Sequence, residues 1–358
     1  MPIEWRLRTL ASKRRPLYLM GVRIQFHPQN IPHVKPTIIT RTLLAPALIA
    51  AALTAAPLHA SMPGDTTPKA RPVARRTGES PELARRMGWP VEGPRALPGA
   101  LLPGRRIVCY YGNPASRRMG ALGQYPKAEM LQRLQREVAR WNAADPEHPV
   151  KPCLHLIASV AQADAGPSGH YRAIVRDSTV RMVHQWAREV NGVLFVDLQI
   201  GTDNIRSLLP RFEWILRNPD VHLGLDPEFY MKSGHRPGTR VGTMSAADVN
   251  YAAGFLADLV RKHNLPPKVL VVHRFTRRML TDAPSIRLRP EVQFVVHMDG
   301  WGPPTLKRDS YEAFVVREPV QYTGFKLFYH NDTKQGHPLM SPRDLLRLEP
   351  KPLYIQYQ

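Results

Sequence analysis

The chain has 358 residues and a mass of 40.5 kDa. With 43% hydrophobic and 8% aromatic residues it can bury a core, which excludes an intrinsically disordered polymer. The formal net charge is +21, but the first 106 residues hold 17 basic and only 5 acidic side chains, so the remainder is mildly basic. That remainder has no helix-turn-helix, zinc-finger or ribonucleoprotein motif, so we predict no nucleic-acid partner.

Residues 1–60 have the pattern of an export signal with a basic leader. An apolar run of 14 residues, Leu43–Ala56, is followed by Leu58-His-Ala60, which has the form of a small-residue cleavage site before Ser61. The run is shorter than the roughly 20 residues that span a bilayer, so a retained anchor is the second interpretation. We expect a periplasmic or extracellular protein with no stable membrane span after signal cleavage.

Residues 61–104 are predicted to form a linker, because they contain eight prolines and six glycines without sustained apolar periodicity. One short helix is expected within the linker. Ser80 can cap it, and Pro81 suits its first position, so the helix would extend to Met87.

From residue 105 to residue 358, short β-branched or aromatic runs alternate with segments of helical periodicity. The eight predicted strands are Ile107–Tyr111, Cys153–Val160, Val193–Leu198, Val221–Asp226, Val269–Phe275, Val292–Met298, Phe325–Tyr329 and Leu353–Tyr357. Eight strands alternating with helices over this length predict an α/β fold of the (β/α)8 TIM-barrel type, in a single domain.

An open doubly wound sheet is the alternative fold, but Tyr110-Tyr-Gly-Asn-Pro114 lacks the glycine-rich phosphate turn expected after its first strand. The predicted barrel has no helix after strand eight. We therefore expect the Pro81–Met87 helix to pack near the gap between the first and last helices.

The two cysteines, Cys109 and Cys153, exclude a disulfide-rich scaffold and any multi-cysteine metal site. Both lie in apolar strand-like runs, where a buried free thiol is the expected state.

Polar and aromatic side chains accumulate at the carboxyl ends of the predicted strands, the end at which barrel enzymes place their working groups. We call this end the mouth of the barrel. Its candidate residues are Tyr110, Tyr111, Asn113, Asp197, Asp226, Glu228, His273, His297, Asp299, Trp301, Lys326, Tyr329 and Gln356.

Asp226 and Glu228 are two residues apart, so on an extended strand both carboxyl groups point the same way. Neighbouring carboxyls rarely ionise together, and the one that retains its proton can act as a general acid. We therefore predict glycoside hydrolysis with Glu228 as proton donor and Asp226 as its tuning partner. Asp197 or Asp299 would be the nucleophile or stabilising anion.

The remaining candidates are predicted to bind substrate, as stacking aromatic rings or as hydroxyl-positioning polar groups. The stacking rings are Tyr110, Tyr111, Trp301 and Tyr329, and the polar groups are Asn113, His273, His297, Lys326 and Gln356. The expected partner is a glycan or another polymer of the cell envelope, and neither a metal nor another cofactor is expected.

The Asp226-x-Glu228 sequence resembles the end of the D-x-x-D-x-D-x-E signature of chitinase-type glycosidases. The resemblance implies an acid role for Glu228 and, for Asp226, orientation of a substrate acetamido group. Val221 and Gly224 stand where that signature has its earlier aspartates. Residues 105–358 also resemble exported bacterial barrel proteins of uncharacterised function, which supports the fold and the export.

Three alternatives remain open. A single metal could bind at His273, His297 and Asp299, although the strand-one histidines typical of binuclear metallohydrolase barrels are absent. Lys326 could form a Schiff base, but an ion pair with Asp299 or Asp226 is favoured. The barrel could also be a noncatalytic carbohydrate-binding or scaffolding protein, in which case each carboxylate would be locked to a basic group.

Overall fold

The computed structural model describes residues 77–358, and the predicted export signal and residues 61–76 of the predicted linker lie outside them. The eight barrel strands are β1 (Arg106–Gly112), β2 (Val150–Ala161), β3 (Val193–Gly201), β4 (Val221–Tyr230), β5 (Lys268–Arg274), β6 (Val292–Met298), β7 (Tyr322–Leu327) and β8 (Tyr354–Tyr357). All neighbours pair in parallel, and β1 pairs with both β2 and β8, so the sheet closes. The predicted (β/α)8 barrel is confirmed.

Alternation along the strands separates two cores. On β1, Ile107 and Cys109 point into the barrel, where they pack with Phe195, Val271 and other inward side chains. Val108 and Tyr110 point outward into a larger core between the strands and the surrounding helices. Because both faces are covered, all seven residues of β1 are buried, and after Arg106 the strand has no charged residue.

Within residues 77–358, five helices are longer than one and a half turns. They are α1 (Pro81–Met87), α2 (Lys127–Ala144), α3 (Asp177–Glu189), α4 (Ala246–His263) and α5 (Pro304–Tyr311), the last continuing into a π-helical turn at Glu312–Val316. Single turns form at Ala121–Gln124, Ile205–Leu208, Leu209–Phe212, Glu213–Leu216, Arg277–Met279, Ala283–Ser285 and Pro342–Leu345. Short strands lie at Arg172–Ile174, Met244–Ser245 and Leu280–Thr281.

Helix α1 is present, with Ser80 accepting a hydrogen bond from the Leu83 N–H. It does not fill the gap between the first and last helices, where we expected it, because α2 itself contacts Pro342–Leu345. The segment packs against α5 and the turn that follows. The Trp89 indole donates to the Val316 carbonyl at 2.8 Å, and Glu79 pairs with Arg308 at 3.0 Å.

Residues 97–103 of the predicted linker also pack on the barrel, at the end opposite the mouth. Leu102 is 2% exposed and belongs to the inner core. The Gln293 side chain holds it there, because its Oε1 accepts from the backbone N–H groups of Leu101 and Leu102 at 2.9 and 3.1 Å. Within residues 77–358, no helix has the length and apolar character needed to cross a membrane.

The expectation of free thiols is wrong, because Cys109 and Cys153 form a disulfide. The two residues are directly opposite each other in the parallel register of β1 and β2, with Cα atoms 4.2 Å apart, and both point into the barrel. This pairing depends on which strands are neighbours and on their register, neither of which the spacing of the cysteines reveals.

Candidate functional site

The inward face of the mouth carries most of the predicted polar residues. Asp197 on β3, Asp226 on β4, His273 on β5 and His297 on β6 are all buried. Lys326 on β7 and Gln356 on β8 are buried as well, and Asp299 lies one residue beyond the end of β6. The structure therefore brings together groups that are scattered along the whole barrel sequence.

A chain of charged contacts crosses the mouth. His273 Nδ1 lies 2.8 Å from Asp299 Oδ2, and its Nε2 lies 3.5 Å from Asp197 Oδ1. Lys326 Nζ lies 2.9 Å from Asp299 Oδ1, which is one of the two ion pairs predicted for this lysine. The same amine lies 3.9 Å from the centre of the Tyr111 ring, whose hydroxyl donates to Asp197 Oδ2 at 3.0 Å.

These contacts determine the protonation of the three central groups. Burial opposes ionisation of Asp299, but Lys326 and His273 outweigh it and hold the pKa of this carboxyl below its usual range. Burial likewise opposes ionisation of Asp197, and its histidine neighbours lower its pKa as well. Burial disfavours the His273 cation, yet the two aspartates raise the pKa of this imidazole to about 10.

Asp226 and Glu228 behave in the opposite way. Burial and the neighbouring aspartates raise the pKa of Asp226 to about 7. Burial, followed by the charges of Asp226 and Asp299, raises the pKa of Glu228 to about 8. Asp226 Oδ2 accepts from the Gln199 amide at 3.1 Å, and its Oδ1 accepts from the Glu228 N–H at 3.1 Å. The half-buried Glu228 carboxyl makes no hydrogen bond or ion pair within residues 77–358.

One central residue, His155 on β2, was not among the predicted candidates. Its Nε2 lies 3.3 Å from Asp197 Oδ1, and its Nδ1 contacts the Tyr354 hydroxyl and, at 3.1 Å, the Gln356 amide. Burial lowers the pKa of His155 to about 4. His155 lies inside its strand, whereas the sequence analysis considered only strand ends. A histidine at an inward position of an otherwise apolar run is the signal that could have found it.

Three predicted substrate-binding residues do not reach the mouth. The Tyr110 hydroxyl lies 3.1 Å from that of Tyr329, and the Tyr329 hydroxyl donates to Glu137 on α2 at 3.0 Å, so both rings belong to the layer between strands and helices. Tyr110 is adjacent to the inward Tyr111 and must point outward. Asn113 is buried and fastens the loop after β1, because its amide donates to the Ile157 carbonyl at 3.1 Å.

Trp301 and His297 complete the predicted set. Trp301, in the loop after β6, is 46% exposed, and the Lys334 amine lies 5.7 Å from the ring centre. His297 packs edge-on against His273 and Tyr354 with ring centres 4.9 and 5.1 Å apart, and burial holds its pKa well below the usual range. The indole can stack on a ligand at the rim, whereas His297 belongs to the buried floor.

Within the described part of the chain, one group of side chains has the spacing of a metal site. The ligand atoms of His155, Asp197 and His273 lie within 4.8 Å of one another. The metal site considered from the sequence was His273, His297 and Asp299, so the two sets share only His273. Asp299 contacts the Nδ1 of His273, and the Nε2 of His273 is the atom near Asp197.

No family model and no curated protein matches this chain. Among solved structures it is similar to a ruminal GH26 endo-β-1,4-mannanase, at 11% identity and a TM-score of 0.34, over 78% of this chain and 65% of that one. It is also similar to the mannanase Man26 of Bacillus subtilis, at 12% identity and a TM-score of 0.36, over 78% of this chain and 86% of that one. Similarity at this level carries no information about the residues of the site.

Proposed function

We propose that the chain is an exported glycoside hydrolase-like barrel that cleaves a glycan of the cell envelope or its surroundings by carboxylate acid/base chemistry. One observation carries the proposal: the mouth holds a half-buried, unpaired Glu228 with a raised pKa beside carboxylates that remain ionised. Two carboxyl groups whose environments push their pKa values apart are the arrangement that acid/base hydrolysis of a glycosidic bond requires.

Glu228 is the proton donor in this proposal. Its pKa of about 8 keeps it protonated at neutral pH, and its carboxyl is free to contact a glycosidic oxygen. Asp226 raises that pKa by its negative charge and holds the backbone of Glu228 through the N–H contact. Asp299 is the ionised partner that stabilises positive charge at the sugar carbon or attacks it. Lys326 and His273 orient Asp299, and Trp301 offers a sugar-stacking face.

The disulfide supports export, because disulfides persist in oxidising compartments and are rare in the reducing cytosol. The signal-like pattern of residues 1–60 also supports export. Residues 61–358, which remain after signal cleavage, hold 42 basic and 28 acidic side chains, and this net charge of +14 favours adsorption to anionic polymers of the envelope.

A noncatalytic carbohydrate-binding barrel is the second candidate. It is favoured by the contacts of Asp299, whose two oxygens are held by Lys326 and His273 and are therefore poorly placed to attack a sugar. In this case the polar floor would serve only to hold the barrel and the rim in shape, and Trp301 would supply most of the affinity.

The test is Glu228→Gln in the purified chain, assayed on a panel of envelope and storage polysaccharides. Loss of a general acid typically costs about 10²- to 10⁴-fold in rate, so we expect a fall in kcat of at least about 10²-fold with glycan binding retained. Glu147→Gln is the control, because Glu147 is exposed in the loop before β2, at the other end of the barrel, and should leave the rate unchanged.

Two results would contradict this assignment. Cleavage that survives in Glu228→Gln would reject Glu228 as the acid. Binding of a polysaccharide without cleavage by the wild-type chain would reject hydrolysis and support the binding barrel.

A further inference from the structure

We propose that His155, Asp197 and His273 bind a divalent first-row transition-metal ion at the floor of the mouth. The site goes beyond the proposed glycoside chemistry and does not depend on it. All three side chains are fully buried, and they come from β2, β3 and β5.

The spacing of the facing atoms is that of ligands around one ion. Asp197 Oδ1 lies 3.3 Å from His155 Nε2 and 3.5 Å from His273 Nε2. Two atoms each bonded at about 2.0–2.1 Å to a tetrahedral ion are about 3.3–3.4 Å apart, so both separations match the edges of such a site. The third separation, between the two histidines, falls within 4.8 Å.

All three facing atoms lack a hydrogen bond within the described residues, although each is buried. A buried polar atom with no partner destabilises the folded chain, and here three such atoms are directed at one point. A cation held between them removes that cost for all three at once. This convergence, more than the residue types alone, points to a ligand.

In two of the proposed ligands, His273 and Asp197, the polar atom that faces away from the ion is already held by a neighbouring side chain, as in known metal sites. His273 Nδ1 contacts Asp299 Oδ2 at 2.8 Å, which leaves the lone pair of Nε2 directed at the proposed ion. Tyr111 donates to the outer oxygen of Asp197 at 3.0 Å and leaves the inner oxygen free. Outer contacts of this kind set the tautomer and orientation of metal ligands.

The third ligand is His155, and its tautomer depends on the side-chain amide of Gln356. Either the nitrogen or the oxygen of this amide can face His155 Nδ1. With the nitrogen facing the ring at 3.1 Å, Gln356 Oε1 is buried without a partner in the described part of the chain. With the oxygen facing the ring, Oε1 accepts from His155 Nδ1–H and the lone pair of His155 Nε2 is free for the ion. Metal binding therefore predicts the second orientation.

Gly224 on β4 keeps the space beside the ligands open. A Cβ atom at this position would lie 2.4 Å from both Asp197 Oδ1 and His155 Nε2. Any other residue would push the two ligand atoms apart. Two imidazole nitrogens with one carboxylate oxygen suit Zn²⁺ and its transition-metal neighbours, whereas Mg²⁺ and Ca²⁺ prefer all-oxygen sites.

The competing occupant is a proton. A charged His273 could donate to Asp299 and Asp197 together, which would account for its two contacts but leave His155 without a role. The two occupants differ in metal content and in visible absorption, both of which can be measured without any glycan.

The experiment uses the full chain expressed with Zn²⁺ in the medium, so that the ion is present during folding, with bound metal measured by plasma mass spectrometry. We expect about one Zn²⁺ per wild-type chain and at least a fivefold loss in His155→Gln. His222→Gln is the matched control, because His222 is another buried barrel histidine whose Nε2 has no partner among residues 77–358, but it stands outside the site. Glu228→Gln should keep the metal, so failure of the hydrolase proposal leaves this one intact.

A wild-type chain that carries less than about a tenth of an ion, or equal zinc in His155→Gln and His222→Gln, would overturn the proposal. If His155→Gln fails to fold, zinc-edge X-ray absorption of the wild-type chain decides. Two imidazole ligands support the site, and none or one rejects it. Co²⁺ substitution should give the visible bands of a tetrahedral ion, and Mg²⁺ should not compete.

Discussion

At the scale of single residues, the carboxyl group of Glu228 differs from those of Asp197 and Asp299 because it has no contact with a basic side chain within the described residues. Asp299 gains a lysine and a histidine, and Asp197 gains two histidines and a tyrosine hydroxyl. Burial therefore keeps Glu228 protonated, whereas Lys326 and His273 keep Asp299 ionised. The same end of the barrel thus holds one acid and one base.

This difference predicts a pH-dependent stability. Burial, followed by the charges of Asp226 and Asp299, raises the pKa of Glu228 from 4.5 to about 8 on folding, against the opposing charges of Lys326 and His273. Between those values the folded chain binds more protons than the unfolded chain, so this carboxyl lowers stability as the pH rises. The amide introduced by Glu228→Gln does not titrate, so the Tm of this variant relative to wild type should increase from about pH 5 to about pH 9. Thermal denaturation measures this, and parallel profiles would contradict the raised pKa.

Residue positions at strand ends could be predicted because a change from apolar to polar residues marks where a strand leaves the core. That reasoning identified Asp226, Glu228 and Asp299. It could not identify His155, which is polar within a strand, or separate Tyr110 from Tyr111, because alternation between faces requires knowing which residue faces inward. Once Cys109 and Cys153 are known to point into the barrel, alternation assigns the inward face to Tyr111, two residues after Cys109, and to His155, two residues after Cys153.

At the scale of elements, the disulfide joins β1 to β2 and encloses the loop and helix between them. Its cysteines are separated by 44 residues, so it removes considerable freedom from the unfolded chain. A crosslink of this kind typically contributes about 2–4 kcal/mol. We expect the double variant Cys109→Ala, Cys153→Ala to lose about that much free energy of unfolding, measured by urea denaturation. Reduced wild-type chain should fall to the level of the variant, and equal stability before and after reduction would refute the expectation.

All eight predicted strands lie in the barrel, because a parallel strand buried on both faces is an unmistakable run of β-branched and aromatic residues. Their bounds differ most where polar residues extend a strand, as in β4, which continues through Glu228 to Tyr230. The surface against which α1 packs could not be predicted from the sequence. Its location depends on the Val316 carbonyl and Arg308, single groups on a distant helix with no counterpart in local sequence.

At the scale of the whole molecule, residues 97–103 cover the end of the barrel opposite the mouth, although their composition predicts a linker. Leu102 fills the base of the inner core, so Leu102→Ala should cost about 2–5 kcal/mol in the free energy of unfolding. Leu97→Ala is the control, because Leu97 is 37% exposed and its loss should change stability by no more than about 0.5 kcal/mol. Chemical denaturation compares the two, and equal small effects would show that the segment is dispensable.

Closure of the barrel has a consequence for synthesis on the ribosome. Strand β1 needs β8 as its second neighbour, and β8 is the last strand to emerge. At about 5–20 residues per second, a nascent chain therefore spends many seconds with an open, half-formed sheet whose edge strands are unpaired. The completed cylinder can form only after translation has passed residue 357, so the unpaired edges stay exposed until the last strand is available.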